Sequence, residues 1–372
     1  MNKLRKLTCL LLALMMVFAM TATASAADGE STITAPTDST RTYKVYQIFT
    51  GDLGENNVLS NVKWGQNSKR PEGKNVDDSV DENVLTALAA VNSKSETEIL
   101  TEIEKYVDLN SEPIATLSNG GTQTVPNGYY LIKDVGPVDA AAGEAYGRYV
   151  VKIVGNTTIT PKVSKVTFEK KVKDTNDTTG ETSVWQDSAD YDIGDSVPFQ
   201  LTGTVAADFA EYKNAYYFAF HDKMDESLDF EQNSVEVYVG STLITDGYTL
   251  TYTPHTFDLV FTDLRNVAGV TAGSKITVEF KATLNASAKL GNQGNVNDAR
   301  LEYSNNPYSE QKGTTNWDSV IVFTYQVVVN KYANEAVAGK EKAGAAFKLE
   351  KLVGETWTLV KEFQADETTT TF

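Results

Sequence analysis

Val166-Thr167-Phe168-Glu169-Lys170-Lys171-Val172 alternates like a half-buried strand, yet it carries a lysine on the apolar side. Val166, Phe168 and Val172 share one face, and Lys170 falls in phase with them. Side chains alternate strictly along a strand, so this amine is aimed at a core. Two more segments repeat the anomaly. In Tyr216-Tyr217-Phe218-Ala219-Phe220-His221-Asp222 the inward set Tyr216, Phe218, Phe220 leads to Asp222. In Asn297-Asp298-Ala299-Arg300-Leu301-Glu302-Tyr303 the set Ala299, Leu301, Tyr303 begins with Asn297. Nearby residues of the same types behave differently: Lys171 and Lys173 lie on the polar side with Glu169, and Asn285 is out of phase with Ile276, Val278, Phe280 and Leu284. A single lysine at a strand end ordinarily snorkels, and an Asp or Asn there ordinarily makes a turn. Three in phase within one stretch point to a shared buried site.

An amine, a carboxyl and an amide sealed together have a defined chemistry. Burial disfavours the ammonium, so Lys170 tends toward the neutral, nucleophilic amine. Burial likewise keeps Asp222 protonated, able to donate a hydrogen bond to the Asn297 carbonyl and polarise it. The amine can then attack the amide carbon while Asp222 shuttles protons and ammonia departs. The product is a side-chain amide between Lys170 and Asn297, with Lys170 and Asn297 read as neighbours on the first and last strands of their domain. It closes a loop of 127 residues, from 170 to 297, worth about 5 kcal/mol in the chain-entropy treatment of cross-links.

Around these segments the chain is mostly short strands. From Lys162 to about Tyr325, turn signals such as Asp192-Ile193-Gly194-Asp195, Asp246-Gly247 and Gly273-Ser274 precede alternating runs, which suggests an immunoglobulin-type sandwich over 162–325. Residues 28–161 read as a first domain, mixed but mostly β. Arg41 to Phe49 alternates with Tyr43, Val45, Gln47 and Phe49 on one side, and Val80 to Val107 shows helical spacing. A third unit over 326–372 opens in a run where Tyr325, Val327, Val329 and Lys331 share a face, and is expected to be an unfinished sandwich. The predicted fold class is mainly β: tandem immunoglobulin-like β-sandwich domains, the first with added helices.

Lys3, Arg5 and Lys6 precede an apolar run from Leu7 to Met20 and the small residues Ala24-Ser25-Ala26, the pattern of a secretory signal peptide over 1–27. Cys9 is the one cysteine and leaves with it, so a secreted β-protein would be without disulfides. Loss of the leader's three cations takes the net charge from −17 to −20. Such acidity argues against a nucleic-acid partner or a general anionic-lipid surface, and no later run reads as a membrane helix. Asp174 to Glu181 has some acidic ligands of a calcium loop, but its glycine is one position late and the terminal glutamate is not in place, so a polar turn is expected. His221 and His255 form no zinc-type cluster, and no nucleophile elbow or phosphate-binding glycine loop occurs. No metal, no cofactor and no turnover enzyme are expected.

Thr160-Pro161-Lys162, Phe168-Glu169-Lys170-Lys171-Val172, Ile193-Gly194-Asp195, Phe220-His221-Asp222, Gly294-Asn295-Val296-Asn297-Asp298-Ala299 and Tyr303-Ser304-Asn305 together resemble an isopeptide-forming fimbrial (pilin) protein of Gram-positive bacteria. Ala338 to Leu349 resembles the opening of a Cna B-type domain. The resemblance implies that Lys170 and Asn297 fuse with Asp222 as the assisting acid. It also implies that subunits are joined by a sortase to other pilin subunits and anchored to peptidoglycan at the cell wall. Thr160-Pro161-Lys162 stands where shaft pilins have Tyr-Pro-Lys, so Lys162 matches the inter-subunit lysine without the preceding aromatic. Lys331 resembles the bonding lysine of the third domain, its partners expected past Phe372, where a sorting signal would also lie. The rival expectation is a non-polymerising surface adhesin with the same internal cross-link. No host ligand can be read from either.

Overall fold

The computed structural model describes residues 29–371 apart from 54–58, 92–93, 95, 154–155, 161–163, 213, 333, 343, 345 and 364–368; the expected signal peptide lies outside the described residues. The chain is mainly β. Among the described residues no helix is long and apolar enough to cross a membrane.

The first region contains β1 (Glu30–Thr34), β2 (Thr42–Leu53), β3 (Leu59–Trp64), α1 (Glu82–Val91), α2 (Glu96–Ile103), β4 (Ala115–Ser118), β5 (Thr122–Pro126), β6 (Gly128–Asp134), β7 (Arg148–Ile153) and β8 (Thr157–Thr158). One sheet runs β3-β2-β6-β7, with β4 also on β2; a smaller one runs β5-β1-β8. The helical spacing over 80–107 resolves into α1, α2 and a closing 3-10 turn at Glu104–Tyr106. Alternation alone put Tyr43, Val45, Gln47 and Phe49 on a single side of β2. The register of β2 against β6 shifts between Gln47 and Phe49, and such an irregularity re-aims the residues beyond it. Phe49 therefore packs with Tyr46, Ile48 and Trp64 beneath the helices, while Tyr43 and Val45 pack with Ile33 and Ile132 on the opposite face. β2 is buried on both sides.

The middle region is a two-sheet sandwich. Its strands are β9 (Thr167–Val172), β10 (Ser188–Asp190), β11 (Ser196–Thr204), β12 (Phe218–Met224), β13 (Leu228–Val239), β14 (Thr242–Ile244), β15 (Thr249–Tyr252), β16 (Thr256–Phe261), β17 (Lys275–Leu284), β18 (Asn295–Ser304), β19 (Lys312–Thr314) and β20 (Asp318–Phe323). One sheet is ordered β14-β13-β17-β11-β9; the other is β10-β20-β18-β12-β16-β15, with β19 on β18. Every second residue of β11, β17 and β18 is buried. That alternation gives each sheet one apolar face, and the two faces close on a shared core. Gly203 in β11 permits the close approach, because a Cβ there would meet the Phe218 ring at 2.8 Å.

The first region is seated on the end of this sandwich. The Tyr303 hydroxyl, on β18, donates to the carbonyls of Ala140 (3.1 Å) and Glu144 (2.8 Å). Tyr146 N–H donates to Asn305 O (2.8 Å), and Asn316 N–H to Ala141 O (3.0 Å). Arg41 secures the same segment from behind through a buried ion pair with Asp134 and a second with Glu144. The last region contains β21 (Val328–Asn330), β22 (Phe347–Val353), β23 (Thr356–Phe363) and β24 (Thr369–Thr371), paired β21-β24 and β22-β23. Lys351 of β22 reaches Asp177 and Asp192 of the sandwich.

Gly294, which turns the chain into β18, has φ +62° and ψ 173°, and a Cβ on it would meet Ile321 Cγ2 at 2.3 Å. Gly294→Ala should therefore cost about 1–3 kcal/mol, combining backbone strain with the clash. Urea unfolding of the two proteins measures it, and equal midpoints would refute it.

Candidate functional site

Lys170, Asp222 and Asn297 come together in the sandwich core. Lys170 and Asn297 have no exposed surface, and Asp222 retains 3 %. They do not come from neighbouring strands of one sheet. Lys170 is on β9, the edge of the five-stranded sheet, where it pairs with Leu201 of β11. Asp222 and Asn297 are in the opposite sheet, on the adjacent strands β12 and β18, with Asn297 opposite Met224 and Ala299 opposite Asp222. The site therefore spans the gap between sheets. The sequence reading placed Asn297 on the last strand of its domain; β19 and β20 follow it, and β20 pairs with β18 at Asn297 and Val320.

The Lys170 amine lies 2.5 Å from Asp222 Oδ2. It also faces the rings of Phe199 and Phe280, with centroids at 5.3 and 5.2 Å. Burial is the largest influence on the amine and pushes it below its ordinary value, with Asp222 pulling the other way. Burial also raises the Asp222 carboxyl to about 6, against the attraction of Lys170. Both shifts run toward the uncharged forms, because two separate charges in an aromatic-lined core lose more hydration than their attraction returns.

Asn297 is the odd member. Its amide is near enough to Asp222 to hold that carboxyl down somewhat, yet the contact falls outside hydrogen-bond geometry. Neither its nitrogen nor its oxygen has a partner, and Asp222 Oδ1 has none. Asn295, two residues earlier on β18 and equally buried, is fully engaged: its Oδ1 accepts from Lys289 N–H (2.8 Å) and its Nδ2 donates to Val322 O (3.0 Å). A buried polar atom without a partner costs about 1–3 kcal/mol, so a cluster of three such atoms is unusual in a resting core.

Sequence reasoning missed three contributors. Phe199 and Phe280 are in phase on strands it recognised, but only packing shows that both rings converge on one amine. Asp318, the first residue of β20, accepts the Lys170 backbone N–H at 2.7 Å. Of the other candidates, Lys162 lies outside the described residues. Lys331 follows β21, half-buried, and its carbonyl accepts from Lys342 N–H (2.9 Å). The stretch from Asp174 to Glu181 forms a turn bridged at Thr175 and Thr182. His221 points away from the trio, its ring nitrogens 2.6 Å from Asp258 and 3.2 Å from Glu302.

The fold is similar to that of the T6 backbone pilin of Streptococcus pyogenes, a modular three-domain protein: 19 % identity and a TM-score of 0.55, over 94 % of this chain and 74 % of that one. The full-length major pilin SpaD from Corynebacterium diphtheriae also aligns (20 % identity, TM-score 0.49, 93 % and 80 %). So does BcpA, the major pilin subunit of Bacillus cereus (10 %, 0.46, 92 % and 84 %). No family model and no curated protein matches the chain. The molecule thus has the modular β-sandwich fold seen in a Gram-positive backbone pilin.

Asn297→Ala leaves the Lys170–Asp222 pair without the neighbouring amide and makes its titration visible. A carboxyl raised from 3.8 to about 6 by folding contributes stability below pH 3.8 and loses it as pH rises through 6. The variant should therefore weaken between pH 4 and 7 more steeply than the Asn297→Ala, Asp222→Asn double variant, as read by urea midpoints. Parallel pH profiles would contradict this.

Proposed function

We propose that this chain is a structural and adhesive subunit of a Gram-positive cell-surface pilus, its middle sandwich stapled by an amide bond between Lys170 and Asn297. Lys170 Nζ attacks Asn297 Cγ, the new C–N bond forms, the C–Nδ2 bond breaks, and ammonia leaves. Asp222 donates a hydrogen bond to the carbonyl oxygen and carries the proton from the attacking amine to the leaving nitrogen. No oxidant or cofactor is required.

One observation carries this reading: an amine, an acid and an unpartnered carboxamide share one dry pocket. Condensation relieves what the separate groups suffer there. It removes the ionisable amine and leaves a secondary amide whose N–H and C=O can both engage the Asp222 carboxyl. The cross-link also closes a loop of 127 residues, for which chain entropy gives about 5 kcal/mol. A mature chain that has shed its one cysteine with the leader gains in this way what a disulfide supplies elsewhere.

The pilin-like fold and the sequence resemblance support the proposed assembly steps. A leader over 1–27 directs export. A first domain over 28–161, the cross-linked sandwich over 162–325 and a Cna B-type unit from 326 form the exposed subunit. A sortase joins Lys162 to a second subunit, and the chain is anchored to peptidoglycan. Lys331 serves in the last unit as Lys170 does in the middle one.

Intact mass spectrometry tests the central step. The purified mature protein should weigh less than its sequence by one ammonia, while Lys170→Ala and Asp222→Ala should each have full mass and melt earlier. Full mass for the wild type would rule the bond out. Assembly is tested separately: Lys162→Ala should abolish the polymer ladder in cell-wall extracts, and an unchanged ladder would refute the shaft role.

A further inference from the structure

Among the named strands of the described residues β9 pairs only with β11, and its other edge is held at its end by a two-way backbone bridge between Val172 and Gln186. That edge faces β20 across an open cleft of about 770 Å³, lined by Phe168, Glu169, Lys171, Trp317 and Asp318. The strand that carries the nucleophile thus lies at a seam between the two sheets. At Lys170 the seam is bridged, because the backbone N–H points across it and donates to Asp318 Oδ2 at 2.7 Å.

β20 holds the electrophile as well. It pairs with β18 through Val320 opposite Asn297 and Asp318 opposite Ala299. Asp318 and Val320 are two residues apart and so project to the same side of β20. One strand therefore fixes Asn297 by its backbone ladder and Lys170 by a side chain. Asp318 is itself held: Oδ1 accepts from Ser319 N–H at 3.0 Å, and Ser319 Oγ bonds to Asp298 Oδ1 at 2.5 Å.

We propose that Asp318 is a positioning residue for the Lys170–Asn297 condensation, clamping the backbone of the nucleophile's strand to the strand that sets the register of the electrophile. The proposal rests on the cross-linking reading above. Its action is geometric. The negative charge of Asp318 favours the ammonium form of Lys170, which would retard attack, so any benefit must come from accepting the N–H. Displacing a reacting group by about 1 Å can cost about a hundredfold in rate. Loss of the clamp is therefore expected to slow condensation about tenfold to a hundredfold.

The test follows the mature chain after a pulse of cell-free synthesis, taking the fraction that has lost one ammonia at successive times by intact mass. Wild type must shed ammonia; if it does not, the cross-linking reading fails before Asp318 is in question. Given a reactive wild type, Asp318→Ala should fold but condense slowly. Asp318→Asn, which keeps an oxygen acceptor and loses the charge, should condense at least as fast as wild type. A wild-type rate in Asp318→Ala overturns the proposal, as does an Asp318→Asn rate as slow as that of Asp318→Ala. Should circular dichroism show Asp318→Ala unfolded, Asp318→Glu replaces it, since the acceptor moves outward by one methylene. Slow condensation is expected there too, and a wild-type rate overturns the proposal.

Discussion

Excluding water from one amine and one carboxyl is the constraint on which the middle sandwich turns. In water Lys170 would be an inert ammonium and Asp222 an inert carboxylate. Between two apolar faces, with Phe199 and Phe280 over the amine, both groups shift toward uncharged forms. The same exclusion makes the unpartnered Asn297 amide costly. The uncharged forms and the unmet hydrogen bonds therefore have one source, a pocket that withholds water and partners from its contents. The contrast with Asn295, buried on the same strand and fully hydrogen-bonded, shows that the fold can satisfy an interior amide where it provides partners.

The arrangement depends on tight closure between sheets rather than within one. Lys170 lies on an edge strand, ordinarily the wettest place in a sandwich. It is dry because β20 and β18 cover it from the opposite sheet. Gly203 lets the aromatic faces approach, and Gly294 turns the chain so that β18 enters with Asn297 facing inward. β18 then runs from Asn297 to Tyr303, whose hydroxyl grips the 140–144 segment of the first region. A single strand thus carries the buried Asn297 at one end and the junction with the first region at the other. The last region has a lighter attachment, in which the partly exposed Lys351 meets two exposed carboxylates; pairs of that kind contribute little in salt.

Much of this was legible in the alternation of the chain. Period-two patterning put Lys170, Asp222 and Asn297 on apolar faces, and the structure has each of them buried. Patterning reports which side a residue faces, and burial follows from the side. It does not report which strand lies beyond. Hence the expectation that Lys170 and Asn297 occupy the first and last strands missed β19 and β20, and nothing in Asn316-Trp317-Asp318-Ser319 announced an acceptor for the Lys170 backbone N–H. The single-sided reading of β2 failed for a related reason. A register irregularity at Gln47 to Phe49, invisible in composition, moved Phe49 to the face beneath the helices, and the strand turned out to be covered on both sides.

By itself the sequence determined a mainly β chain, an inward-facing amine, acid and amide, and an acidic composition with one cysteine, because those properties reside in residue identity and local periodicity. Only the tertiary structure decided that the three groups meet, that they meet across the gap between two sheets, and that β20 holds both sides in register. The reason is physical: strand alternation is a local steric property of the backbone, whereas contact between residues 170 and 297 depends on how distant strands pair and pack.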